Sequence, residues 1–185
     1  MSQHTNRWKG LVCGCLGAVG GLMAMRTYWQ RAAPKVDQWV DPGGQKSESG
    51  ADPLDDISLF GPQYEQDESS TAALGRISFR WLTGQAPRSK EGRTILSYLI
   101  HWLYGILVGG LYGMWRSNAE PPDMAGGLVY ATGLWFVGDE IVVPLLGLQK
   151  GPTAATPVQH FNRLGAHWSY GLVTAALTQI LRKTF

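Results

Sequence analysis

Residues 95–115 read ILSYLIHWLYGILVGGLYGMW, a stretch without a single Asp, Glu, Lys or Arg. Its length matches the roughly 20 residues that a helix needs to cross a hydrocarbon core. Two further stretches share this character: 125–148, AGGLVYATGLWFVGDEIVVPLLGL, and 164–181, LGAHWSYGLVTAALTQIL. Ionisable residues interrupt the three at only a few positions, His101, Asp139, Glu140 and His167. A charge at such a depth costs about 3 kcal/mol even on lenient insertion scales, so these groups are expected to face a protein interior or a wet cavity.

Composition as a whole hides this pattern. Mean hydropathy is near neutral at −0.10, because residues 37–70 concentrate nine of the fourteen acidic residues with a single base, Lys46. The remainder is basic and apolar. Many of the 24 glycines lie inside the apolar stretches, as in membrane helices that pack closely. A length of 185 residues fits one bundle, and a net charge of +2 gives no reason to expect nucleic acid. Cys13 and Cys15 lie two apart in an apolar run, too close for an unstrained disulfide on one helix, and they read as packing residues.

Arg7-Trp8-Lys9 leads into the uncharged run 10–25, closed by Arg26. A basic head and a short apolar run resemble a signal peptide, but Ala24-Met25-Arg26 is a poor cleavage site. Val12-Cys13-Gly14-Cys15 lacks the upstream apolar run of a lipoprotein box, so a retained first membrane helix within 1–28 is expected. Gly10/Gly14 and Gly17/Gly21 carry the spacing that lets a neighbouring helix approach, as do Gly105/Gly109 and Gly109/Gly113.

Residues 29–94 form an extramembrane loop in this reading. Asp41-Pro42-Gly43-Gly44 and Gly61-Pro62 mark turns. Within 71–83, Leu74, Ile77, Trp81 and Leu82 recur at helical spacing, with Arg76 and Arg80 opposite. The pattern predicts a short amphipathic helix, lying on the membrane surface or packed on the bundle, with Trp81 and Leu82 as anchors. Residues 87–93 make a basic approach to the next helix, and Pro121-Pro122 falls in a tight turn that makes 95–115 and 125–148 a hairpin. The expected fold is thus all-α: an integral membrane four-helix bundle with a three-helix core in 95–185 and a long first loop. Pro144 is expected to free a carbonyl one turn earlier and kink the third helix. Trp8, Trp29, Trp115 and Trp168 fall near helix ends, where interfacial tryptophans gather.

Hairpin topology sets His101, Asp139, Glu140 and His167 on the order of 5 to 13 Å deep from the same side, at about 1.5 Å per residue. His160 in the last loop joins them from above, and Arg163 is the nearest further partner in sequence for the carboxylates. Four uses of such a cluster stay open. It can pair side chains to fix helix register. It can pass protons or small ions. Imidazole and carboxylate also suit zinc, iron or manganese, although no His-x-x-x-His or Glu-x-x-His pair shares a helix. Two His on separate helices can hold haem. If His101 and His167 meet, a carboxylate partner raises an imidazole pKa while desolvation lowers it, which makes a pH-sensitive latch or relay. Asp139 and Glu140 point about 100° apart on an α-helix, so both cannot face one site squarely.

Residues 95–181 resemble the YagU-like family of bacterial inner-membrane proteins, whose function is poorly defined. The resemblance rests on His101 followed by glycines and Tyr112, on Pro144-Leu145-Leu146-Gly147-Leu148 with Pro152 after it, and on Gly165-Ala166-His167-Trp168. It covers about half the chain; the first helix and long loop agree only in layout. It implies a multi-pass inner-membrane protein with both termini inside, and it brings no catalytic assignment. The family's tolerance of His at the Asp139 position implies a titratable site there without an obligatory carboxylate. The positive-inside rule points the other way, because Arg26, Arg31, Lys35, Arg80, Arg88, Lys90 and Arg93 outnumber Arg7, Lys9, Arg116, Arg182 and Lys183. A loop this long and acidic weighs little under that rule. The resulting expectation is a non-catalytic structural or accessory membrane component without a cofactor, in contact with the lipid bilayer and with a second copy or another membrane protein. A proton- or ion-handling protein and a metal-binding one are the alternatives.

Overall fold

The computed structural model describes residues 3–40, 52–120 and 123–184, with side chains from Arg7 onward. The expected turns at Asp41-Pro42-Gly43-Gly44 and Pro121-Pro122 lie outside the described residues. Everything regular in the described residues is helical, without a strand: α1 (Gln3–Arg31), α2 (Ala33–Val40), α3 (Ser70–Thr83), α4 (Lys90–Trp115), α5 (Met124–Gly133), a π-helix (Leu134–Val142), the short α6 (Val143–Leu145), a 3-10 turn (Pro152–Ala154) and α7 (Pro157–Thr184).

Among the described residues, three helical segments are long and apolar enough to cross a membrane: Arg7–Arg31, Lys90–Trp115 and Met124–Leu145. The expected fourth, at 164–181, starts earlier, at Pro157, and is too polar to join them on that criterion. Its buried face explains this. Asn162, Thr174, Thr178 and Gln179 are all buried, so α7 spends its polar residues against protein. The third helix ends at Leu145 and not at 148, because Gly147 turns the chain with φ +70°, a conformation that suits glycine. The long loop also holds more structure than expected. It contains α2, whose Pro34 sits in the first turn, where its missing N–H costs nothing.

Tertiary contacts divide the chain into two units, one of residues 1–45, 104–135 and 157–185, the other of residues 46–103 and 136–156. In the first unit α1 lies along α7 and α5 packs on α7. Small residues set the distances. A Cβ on Gly10 would overlap the carbonyl oxygen of Gly113, and one on Gly14 that of Gly109. A Cβ on Gly113 would in turn overlap the Gly10 carbonyl. Gly17 and Gly21 of α1 meet the hydroxyls of Thr178 and Thr174 on α7, while Gly127 and Gly171 bring α5 and α7 together backbone to backbone. Gly109 packs on Ala18 and the Tyr170 hydroxyl, and Gly105 on the Leu22 methyls. Lipid tails are as apolar as leucine, so close packing of this kind is what associates helices in a membrane. Cys13 is buried and Cys15 sits with its sulfur near Gly110; both are free thiols.

In the second unit, residues 52–63 run along the exit of the third helix. Leu59 N–H donates to the Leu145 carbonyl at 2.9 Å, Gln63 N–H to Gly147 at 2.7 Å, and Gly151 N–H to Asp55 at 2.8 Å. Thr153 Oγ1 adds a 2.7 Å bond to the Asp55 carboxylate. α3 forms where its periodicity predicts, capped by Ser69 at one end and by Gly84 at φ 74° at the other. Gly75 lets α3 approach α4 at Leu96, and Thr71 shares a 2.8 Å hydrogen bond with Ser97.

Candidate functional site

Asp139 and Glu140 sit in the π-helix, in the second unit. π-helical turns are rare and recur at functional positions. Pro144 has no N–H to donate, and in the i→i+5 register the carbonyl it fails to reach is that of Asp139. Gln149 fills the gap: its Nε2 donates to the Asp139 carbonyl at 2.6 Å. The chain after Gly147 therefore turns back to complete the helix that Pro144 interrupts. Glu140 is buried at 6% exposure, whereas Asp139 is half-buried.

His101 lies half-buried on α4, in the same unit as the two carboxylates. His160 and His167 belong to α7 in the other unit. The ring of His160 stands edge-on to Trp135, centroids 6.3 Å apart and planes at 81°. His167 Nδ1 lies 2.9 Å from the Arg163 carbonyl, one turn back on the same helix. Among the described residues no group of three or more His, Cys, Asp or Glu is gathered as a metal site.

The tightest polar constellation in the first unit involves residues that sequence patterning passes over. Asp123 immediately precedes α5, where the helix N-terminus favours a carboxylate. Arg116 grips it with two bonds, Nε to Oδ2 at 2.7 Å and Nη2 to Oδ1 at 2.6 Å. The Tyr112 hydroxyl donates to Oδ2 at 2.8 Å from a side chain that is 2% exposed. The guanidinium also stacks over the Trp115 ring, 5.4 Å from its centroid. Hydrogen bonding from Arg116 is the main reason that the Asp123 carboxyl is held below its ordinary range; burial works against it. Arg182, from the end of α7, donates to the carbonyls of Arg116 and Ser117, satisfying acceptors at the C-terminus of α4. The two ends of a hairpin and the end of α7 are thus tied at one place. Arg116 and Asp123 on either side of a short turn, with Glu120 between them, were the available signal.

Further polar bonds inside this unit also join helices. Tyr170 donates to the Gly105 carbonyl at 2.6 Å, Tyr130 to Val108 at 2.7 Å, and Trp168 Nε1 to Thr132 at 2.9 Å. Buried Asn162 donates to Asp37 of α2 at 2.6 Å and accepts from Tyr28 of α1 at 3.2 Å.

In the second unit Arg76 departs from the amphipathic expectation. Its side chain is 12% exposed and is held by Glu68, Nη2 to Oε2 at 2.8 Å, with Glu65 at 3.4 Å and the Gln63 carbonyl also in reach. Arg93 pairs with Glu65 at 2.5 Å. The bond from Arg76 is the leading cause lowering the Glu68 pKa, and the same bond raises that of Arg76. Beside this network an open cavity of about 530 Å³ is lined by charges of both signs, among them Asp67, Glu68, Lys90 and Arg93. No family model, curated protein or solved structure matches the chain.

Proposed function

We propose that the chain is a multi-pass protein of the bacterial inner membrane in the YagU-like layout, with α7 as a fourth span, and that it serves as a non-catalytic structural or accessory component. The observation that carries this reading is how the polar residues of the apolar helices are used. Tyr112, Tyr130, Tyr170 and Trp168 each join one helix segment to another, while the outward faces of α1 and α4 expose Val12, Leu16, Leu103 and Leu107. A chain whose tyrosines are committed to helix registry, and whose α1 and α4 turn Val and Leu outward, is built to sit in lipid beside a partner. Single cysteines at Lys150 and Thr184, with Cys13 and Cys15 replaced by alanine, test the fourth span. Impermeant maleimide reaches the two from opposite faces of the membrane if α7 crosses it. Labelling from the same face removes that span.

One observation favours a second reading, proton or small-ion handling: Glu140, a buried carboxylate in a π-helix, is a costly residue to keep unless it is used. Proteoliposomes separate the two. A structural Glu140 gives no proton flux above empty vesicles, and Glu140→Gln lowers the melting temperature. A working Glu140 gives a flux that Glu140→Gln abolishes while the protein stays folded.

A further inference from the structure

Resting on the reading of the chain as a membrane protein, we propose that the α3–α4 turn binds the headgroups of anionic phospholipids. The end of α3 projects two large apolar side chains, Trp81 at 85% exposure and Leu82 at 74%. On both sides stand cations: Arg80 before them, then Arg88 and Lys90 after the turn, all exposed. Residues 80–90 hold no acidic residue, and neither Arg80, Arg88 nor Lys90 takes part in a described ion pair. The contrast with their neighbours is sharp, since Arg76 and Arg93 are both taken up by glutamates.

The turn is also held in shape, so ordering it on lipid costs little. Gly84 N–H closes α3 on the Arg80 carbonyl at 2.8 Å, Pro87 is buried, and Ser89 Oγ accepts from Gly92 N–H at 3.0 Å to start α4. α3 itself is fixed to α4 through the Gly75 approach and the Thr71–Ser97 bond. Lys90 opens a membrane-crossing helix, which sets the turn at headgroup depth.

Trp and Leu insert at the interface, and each cation attracts an anionic leaflet by about fivefold in partitioning. A neutral surface would engage the apolar pair alone, and a protein partner would show no dependence on lipid charge. Anionic lipid is the occupant that uses both halves of the feature.

The test reconstitutes the full chain in nanodiscs of phosphatidylcholine alone or mixed with phosphatidylglycerol. An environment-sensitive fluorophore is placed on Thr83→Cys in the Cys13→Ala, Cys15→Ala background. We expect a blue-shifted emission and more than tenfold stronger quenching by spin-labelled lipid in the anionic discs. Added salt reverses the effect by screening. Arg80→Gln/Arg88→Gln/Lys90→Gln loses it, and Arg80→Lys/Arg88→Lys keeps it. Equal quenching in the two lipid compositions, or insensitivity of the unmodified charges to salt, overturns the proposal. A chain that fails to enter discs at all instead overturns the membrane reading beneath it.

Discussion

The two units of this chain are held by different physics. In the first, α1 meets α4 and α7 through glycines, where the backbones themselves are the contact: Gly10 and Gly14 against Gly113 and Gly109, Gly17 and Gly21 against Thr178 and Thr174. In the second, a polar segment is fastened by hydrogen bonds to the exit of the third helix, and α3 is fastened by an Arg–Glu network. Helices that share a solvent as apolar as themselves gain by fitting closely. Segments that face water gain by exchanging charges and backbone bonds.

That contrast implies an order of mutational damage. Gly113→Val should be the worst substitution, because the new side chain meets carbonyl oxygens and not a flexible neighbour. It is expected to cost about 3 kcal/mol, the upper range for overpacking. Thermal unfolding in detergent measures this, and a variant as stable as the parent would break the glycine account.

Asp123→Ala comes next. It leaves Arg116 and the buried Tyr112 hydroxyl without their acceptor. Arg116 is 35% exposed, so solvent screening brings the expected loss to about 2 kcal/mol, below that of a fully buried pair. Asp123→Asn should recover part of it.

In the second unit Arg76→Ala should cost about 1 to 2 kcal/mol and loosen α3 locally, which hydrogen exchange across 70–83 would register while the glycine-packed helices keep their protection. The pH dependence has a definite sign. Glu68 and Asp123 both have lowered folded-state pKa values, caused first by bonds from Arg76 and Arg116. Their stabilisation is complete above the ordinary carboxylate range, about pH 4, and is lost as pH falls through the folded values. Arg76→Gln should therefore flatten the acid limb of the stability curve; an unchanged limb would count against the pair.

The smallest effect is expected for Gln149→Ala, about 1 kcal/mol, from an Asp139 carbonyl deprived of its donor. Its value lies in position. Destabilisation confined to the end of the third helix would tie Gln149 to the gap left by Pro144.

Local periodicity explains what the sequence revealed. The 95–115 run and the 71–83 helix declare themselves by composition and spacing, and both are helical. The glycine pairs point to close approach, though not to which helix approaches which. Arg76 shows the limit: spacing alone reads it as a solvated face, yet its burial depends on Glu68, which lies outside the helix. The π-register at Leu134–Val142 is equally non-local, because it is completed by Gln149 beyond the helix end. For the candidate site, the sequence places His101, Asp139, Glu140 and His167 along their helices, but α7 opens at Pro157 and not at Leu164, so His167 sits further along its helix than expected. The lock at Asp123 was not legible, since Arg116, Glu120 and Asp123 across a turn look like ordinary loop polarity.

Alkaline carbonate washing of membranes from cells that express the full chain tests the central claim most directly. Helices that cross the bilayer and pack through Gly10, Gly14, Gly109 and Gly113 keep the protein in the membrane pellet after the wash. Release of the chain into the supernatant would contradict the account.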